Sequence, residues 1–271
     1  MKLSELGELE LLRELERRGL ATHIENDAAQ LGGGLVVTQD ALVEGVHFTL
    51  DRIGWRDLGF RAAAVSLSDL AASGATPDGL VVSLGLPGAT ELESVLGLYE
   101  GMAEAGVAVV GGDTTAADRV YLSVTALGHA DRVPGRGGAA PGDLLVVTGL
   151  LGAAGTAFRR GEYARPPIRL DEGRALAVHA HAMLDVSDGL ARDAAHIAER
   201  SGCRLVVELE RVPLAPGATV DDLGFGEDYE LLAAVEDAGG FAVIGRCEEG
   251  EGLELLLDGS PYDLAGWEHF R

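Results

Sequence analysis

Short apolar runs that stop at a glycine or an aspartate alternate along this chain with longer stretches of helical spacing, and that rhythm leaves few architectures open. Leu6, Leu9, Leu12 and Leu15 recur every three residues among Glu and Arg, so residues 4–18 predict an amphipathic helix with Ser4 as cap and Gly19 as stop. A short strand is expected at 35–38, running into Gln39 and Asp40, followed by a helix rich in small residues at 56–73. Strand 80–86, helix 91–105, strand 107–110 and strand 120–128 continue the alternation. Residues 134–142 (PGRGGAAPG) have no periodicity and suit a domain connection, which places a boundary near residue 136. Beyond it come strand 144–148, helices at 152–160 and 171–182, strand 183–186, helix 189–200 and strands at 203–209, 229–235 and 241–246. The expected fold class is α/β (α+β) in two domains, 1–136 and 137–271.

A formal charge of -23 would suit a disordered acidic polymer, but a hydrophobic fraction of 47% marks a chain with a core. An acidic surface without a basic stripe is a poor partner for nucleic acid or for an anionic membrane. No apolar run has the length of a membrane span, and the N-terminal MKLSELGELE lacks the basic and apolar regions of a signal peptide, so a cytoplasmic location is expected. Lys2 is the only lysine among the 21 basic residues counted as Lys and Arg. That excludes a Walker loop, a protein-kinase strand lysine and a Schiff-base lysine. Phosphates, if bound, must be held by metals, arginines and backbone amides. Cys203 and Cys247 fit neither a zinc spacing nor a disulfide framework and read as buried thiols.

Chemistry concentrates at aspartates. Apolar strands run into Asp40, Asp113 and the pair Asp185 and Asp188, and ligands of α/β sheets gather beyond the carboxyl ends of strands. One aspartate in such a place is usually a helix cap or a turn former. Several together raise one another's proton affinity unless a divalent cation neutralises them. Magnesium fits, since it takes oxygen ligands and binds through a few carboxylates plus substrate phosphates. Asp27, and Asp69 on a helix with room beside it, are further candidates. Gly111-Gly112-Asp113 lets backbone amides approach a phosphate, and Ser187-Asp188-Gly189 before a helix is an anion site or a cap. Gly149, Gly152 and Gly155 do not fit a dinucleotide fingerprint and read as helix packing. His179 and His181, two apart in an expected helix, face apart and read as surface.

Five segments carry a family resemblance: Asp40-Ala-Leu-Val-Glu-Gly-Val-His47-Phe48, Ser66-Leu-Ser-Asp69-Leu-Ala-Ala-Ser-Gly-Ala75, Gly111-Gly-Asp-Thr-Thr115, Asp185-Val-Ser-Asp-Gly-Leu190 and Gly226-Glu-Asp-Tyr-Glu-Leu231. In order and spacing they resemble thiamine-monophosphate kinase from about residue 20 to the end. Several recur in the wider superfamily of aminoimidazole ribonucleotide synthetase and selenophosphate synthetase. The Gly-Glu-Asp-Tyr-Glu stretch and the closing Gly266-Trp267-Glu-His-Phe270 are more particular to the kinase. The resemblance implies an N-terminal ATP/Mg-binding and dimerisation domain whose sheet closes a barrel across a homodimer, and a C-terminal α/β sandwich. It implies several Mg2+ ions held by Asp27, Asp40, Asp69, Asp113, Asp185 and Asp188, with Thr38 and Gln39 adding oxygens. It implies ATP contacts at Gly112, Arg136, Ser187 and Tyr99. His47, Glu227 and Trp267 fall where the family holds thiamine phosphate, and an aromatic plane with a carboxylate suits a cationic thiazolium. The implied reaction is direct, magnesium-assisted in-line transfer of the ATP γ-phosphoryl group to thiamine phosphate, giving thiamine diphosphate and ADP, with no catalytic side chain beyond the metal-holding set.

Four features depart from the family pattern: Glu25-Asn26-Asp27 replaces Gly-Asp-Asp, Ala116 replaces an arginine, Ser66 replaces an asparagine, and the segment between 155 and 171 is shortened. They leave two alternatives: another ATP-dependent synthetase of the superfamily, or a non-catalytic nucleotide-binding regulator.

Overall fold

In the computed structural model, residues 3–22 and 25–267 are described. Residues 268–270, which the closing motif above includes, lie outside them. The N-terminal helical stretch is two helices, α1 (Leu3–Leu6) and α2 (Glu8–Arg17). Gly7, at φ 79°, interrupts them, so Ser4 falls inside α1 instead of capping it, while Gly19 ends the segment as expected.

Two sheets follow. The first has the order β1-β2-β5-β3-β4, formed by β1 (Ala29–Gln30), β2 (Leu35–Val43), β3 (Thr76–Leu86), β4 (Val109–Ala116) and β5 (Tyr121–His129). Only β3 and β4 are parallel, joined by the crossover helix α4 (Leu92–Glu104). β2 runs on through Gln39, Asp40 and Ala41 in continuous register with β5. Asp40 is therefore inside the strand, not at its end. Likewise Gly111, Gly112 and Asp113 are internal to β4, whose pairing with β3 continues to Ala116. The two glycines disguise that strand because they supply none of the β-branched bulk that marks one.

The second sheet has the order β12-β11-β8-β10-β6-β9-β7. Its strands are β6 (Leu144–Val147), β7 (Ala182–Asp185), β8 (Arg204–Glu208), β9 (Leu231–Val235), β10 (Ala242–Glu248), β11 (Gly252–Leu257) and β12 (Ser260–Pro261). β11 and β12 were not expected, because glycine and glutamate crowd their sequence. α5 (Ala153–Arg160), α6 (Leu170–Ala177) and α7 (Leu190–Ser201) accompany this sheet. α6 stops before His179 and His181, so neither is helical, and His181 Nδ1 instead lies 2.9 Å from the buried carboxylate of Asp143.

α3 (Trp55–Ala72) joins the halves. A helix with one apolar stripe covers one surface, whereas α3 is buried nearly all round by Ala62, Ala63, Ala64, Leu67, Leu70 and their neighbours. One side packs on the first sheet, and Ala71 and Ala72 join a core with Leu176, Met183 and Leu231 of the second half. Small residues permit the approach: a Cβ on Gly59 would lie 1.8 Å from the Leu98 carbonyl oxygen of α4, and one on Gly173 of α6 would lie 2.2 Å from that of Ala71. Arg61, Ser66 and Ser68, the buried polar side chains of this helix, are thereby held in the interior.

Candidate functional site

The site forms where α3 crosses the end of β7. Oxygens of Asp27, Asp69 and Asp185 lie within 4.8 Å of one another, the group of this kind found among the described residues. Asp69 comes from α3, Asp185 from the last position of β7 and Asp27 from the segment before β1. Thr38 on β2 places its hydroxyl against Asp69 Oδ2 and 3.0 Å from the Asp27 carbonyl oxygen. Ser68 donates to Asp185 Oδ2 at 2.6 Å across the two halves. Asp40 adjoins the group, and its Oδ2 is buried without a hydrogen-bond partner.

Burial pushes all four carboxyls up. Asp40 rises to about 6, through desolvation and then the Asp27 charge, with Ser66 and Asp69 nearby opposing the rise. Asp185 rises to about 8, through desolvation and the Asp27 charge. Asp69 is carried well above the usual range by desolvation and by Asp40, Asp185 and Asp27. Asp27 is raised by desolvation against the opposing pull of Arg136. The Arg136 guanidinium sends Nε and Nη2 to Asp27 Oδ1 at 2.9 and 2.5 Å. One cation against four buried carboxyls leaves the group short of positive charge, and the orphaned Asp40 oxygen lacks a partner. Both observations, with an all-oxygen donor set, fit a divalent cation.

Asn26, which stands where the family pattern has an acid, accepts a hydrogen bond from the Arg136 backbone N–H at 2.9 Å. Gly135, at φ 73°, lies so close to Asn26 that a Cβ would meet its Oδ1 at 2.6 Å. The neutral amide therefore anchors the connection that carries Arg136.

Gln39 follows strand alternation to the face opposite Thr38 and Asp40, where its Nε2 donates to Ser123 Oγ at 2.6 Å. Only its backbone carbonyl is left for the aspartate side. Gly112 and Asp113 are exposed on the edge strand β4, three strands from β2, or about 14 Å at ordinary strand spacing. Tyr99 packs from α4 against the core of the first half. The structure therefore gathers Asp27, Thr38, Asp40, Asp69, Asp185 and Arg136, and leaves Gly112, Asp113 and Tyr99 apart.

A second cluster borders the first. Ser187 and Asp188 follow Asp185 directly, before α7. The Asp188 N–H donates to the buried Asp193 at 3.0 Å, and the Arg192 Nε lies 3.3 Å from Asp188 Oδ2. Two chain segments close on this turn. The Glu227 N–H donates to the Ser187 carbonyl at 2.8 Å, and the Trp267 N–H donates to that of Asp188 at 2.9 Å, leaving the indole 52% exposed. Close packing requires glycine here, since a Cβ on Gly226 would sit 2.3 Å from the Ser187 oxygen. Glu227, its carboxyl raised by burial, pairs with Arg61 of α3, whose Nη1 also donates to the His47 carbonyl at 2.9 Å. His47 Nδ1 accepts from the Val43 N–H at 3.1 Å, which leaves the proton of a neutral ring on Nε2. Arg61 escapes motif reading, while Ser68 lies inside the Ser66–Ala75 motif with no role read for it. The signal at Arg61 is a charged side chain set in a helix of Ala, Val and Leu.

The chain belongs to the class of AIR synthase related proteins. Residues 25–130 match the AIR synthase related protein, N-terminal domain, and residues 140–254 match the corresponding C-terminal domain. Within that class the chain belongs to the thiamine-monophosphate kinase family. It is 36% identical to thiamine-monophosphate kinase of Caulobacter vibrioides, with 96% of this chain and 88% of the relative covered. It is 33% identical to that of Aquifex aeolicus, with 100% of both chains covered. The solved structure of AaThiL complexed with AMPPCP and TMP superposes with a TM-score of 0.90 at 32% identity, covering 99% of each chain.

Proposed function

We propose that this protein transfers the γ-phosphoryl group of ATP to the phosphate of thiamine phosphate, giving thiamine diphosphate and ADP. The observation that carries this reading is the buried aspartate group at the crossing of α3 and β7, in a chain that superposes over nearly its whole length on a relative complexed with AMPPCP and TMP. Asp27, Asp40, Asp69 and Asp185, with Thr38 and the Gln39 carbonyl, would hold Mg2+. Asp113 and Asp188, set apart from that group, support more than one ion. Bound there, magnesium would neutralise the charge that develops on the transferring phosphoryl oxygens. The chain's own part is placement. Arg136 carries positive charge beside Asp27, Ser187 offers a hydroxyl at the start of α7, and the Gly112 backbone lies open to a phosphate. Tyr99, on α4 and packed against the core of the first half, would contact ATP only at the margin of the site. His47, Glu227 and Trp267 would receive the acceptor, the indole face and the carboxylate meeting the thiazolium. The acceptor phosphate is already an anionic nucleophile, so no side chain need remove a proton.

Two halves divided near residue 136 suit this arrangement, with the nucleotide between them. The exposed edge strand β4, with Val110 61% exposed, supports a barrel closed with a second copy of the chain. No described helix is long and apolar enough to cross a membrane, which accords with a cytoplasmic enzyme. The test is ADP release with ATP, Mg2+ and thiamine phosphate, with thiamine diphosphate identified as product and unphosphorylated thiamine as control. Product from the phosphate ester alone supports the kinase. Magnesium-dependent ATP binding without product would overturn it in favour of a regulator.

A further inference from the structure

Arg61 is a charge inside a helix that has no other reason to carry one. Its side chain is 6% exposed, and its neighbours on α3 are Ala62, Ala63 and Ala64. A buried guanidinium persists only where its donors are met, and here they are met by the two turns that flank the acceptor pocket. Nη1 holds the His47 carbonyl at 2.9 Å and Nη2 holds the Glu227 carboxylate. Glu227 needs holding. It sits at φ 59° and Tyr229 at φ 51°, left-handed conformations that side chains other than glycine rarely adopt without outside support. The backbone of the turn is tied to Val186 and Ser187, but the direction of the Glu227 carboxylate is fixed by Arg61. Tyr163 stands beside the pair with its hydroxyl buried and unpartnered, so the cluster has polar capacity left over.

We propose that Arg61 is a positioning residue for the acceptor substrate: one buried guanidinium fixes the spacing and orientation of Glu227 and the His47 turn, and so sets the affinity for thiamine phosphate without touching ATP. The inference rests on the kinase reading above. A nearby ion pair supplies the contrast. Arg169 holds Glu230 with Nε and Nη2 at 2.6 and 2.7 Å, three residues along the same segment, but Glu230 turns inward to Thr148 and away from the pocket. Losing that pair should affect folding alone.

The experiment measures kcat, both KM values and thermal unfolding for wild type, Arg61→Met, Arg61→Lys and Arg169→Met. Arg61→Met is expected to raise KM for thiamine phosphate by about tenfold or more while KM for ATP stays within about twofold. Arg61→Lys keeps the charge but cannot span both turns with one ammonium, so it should show the same split at about threefold or more. Should Arg61→Met fail to fold, Arg61→Lys decides the question. Adding Arg61→Met to Glu227→Gln should raise KM further by much less than it does in wild type, because the group being positioned is already altered. Arg169→Met should lower the unfolding temperature without a split. An unchanged thiamine phosphate KM in the Arg61 variants, or equal rises in both KM values, would overturn the positioning role while leaving the kinase intact. Absence of wild-type turnover would overturn the kinase reading and this inference with it.

Discussion

At Asp69 the carboxyl is largely withdrawn from solvent and three like charges stand around it. Desolvation is the largest influence on its proton affinity, followed by Asp40, Asp185 and Asp27, with only the Thr38 hydroxyl in opposition. Such a residue stabilises nothing by itself; its ionised form is tolerated for the sake of a cation. The amide of Asp69→Asn keeps an oxygen for Thr38 and discards the charge. It should therefore raise the stability of cation-free protein at pH 8 by roughly 1–2 kcal/mol, several degrees of unfolding temperature for a chain of this size. The same variant should lose turnover by about 100-fold or more, since charge neutralisation at the phosphoryl group is the main work of the site. Calorimetric scans in chelator, read beside product formation in Mg2+, check both; a variant less stable than wild type in chelator would contradict the account of mutual repulsion. Asp185 was legible in the sequence because it ends an apolar strand. Asp69 was legible through the small residues that leave room beside it and through its motif, since helical periodicity alone does not distinguish it from a surface acid.

Elements deliver these side chains, and α3 delivers most of them. The helix can lie between two sheets because its contact positions have almost no volume: Gly59 meets Leu98 of α4, and Gly101 of α4 meets the Arg56 carbonyl oxygen at 1.8 Å from where a Cβ would be. Gly59→Ala improves helix propensity by about 1 kcal/mol and still should destabilise the protein by about 3 kcal/mol or more, because backbone, not a flexible side chain, stands in the way. Urea unfolding measures it; a gain in stability would mean that the two helices can separate freely. The sequence shows the helix but not this constraint, as a glycine inside a helical pattern looks the same whether it is crowded or exposed. The same limit hid other parts of the elements. β2 was cut short at Thr38 because Gln39 and Asp40 look like turn residues, although Ala41, Leu42 and Val43 continue the ladder with β5. The glycines of β4 and the glycines and glutamates around β11 likewise carry no strand signal. In each case pairing with a neighbour overrides local propensity, and pairing is not written in the segment itself.

Among the described residues, one long sheet edge is left uncovered and one carboxylate group is left without balancing charge. β4 carries exposed Val110 and ends the first sheet, an arrangement that monomeric proteins blunt with charge or short length. A homodimer paired along this edge should become monomeric on Val110→Arg, read by sedimentation; a wild-type monomer at the same concentration would remove the barrel from the proposal. The second imbalance sets the dependence of stability on pH. Asp40 and Asp185 titrate near 6 and near 8 in the folded chain, both above the value of about 4 expected when unfolded. Folded protein without cation therefore holds more protons than unfolded protein, so this contribution is full below pH about 4 and is lost as pH rises through 6 and then 8. His196 acts in the other direction. Burial and then Arg136 depress it to about 4, so its contribution is full above pH about 6.5 and is lost as pH falls through 4. His196 is not among the proposed cation ligands, so its contribution is expected to be common to both conditions and largely to cancel in a comparison of the two. A divalent cation takes the place of the protons, and its binding favours the folded chain only where the carboxylates are ionised. The difference in unfolding temperature between Mg2+ and chelator should thus be small at pH 5 and widen steadily to pH 8, and Asp185→Asn should flatten it. A difference independent of pH would mean that the cation binds at exposed carboxylates, ionised across the whole range, and not at the buried group.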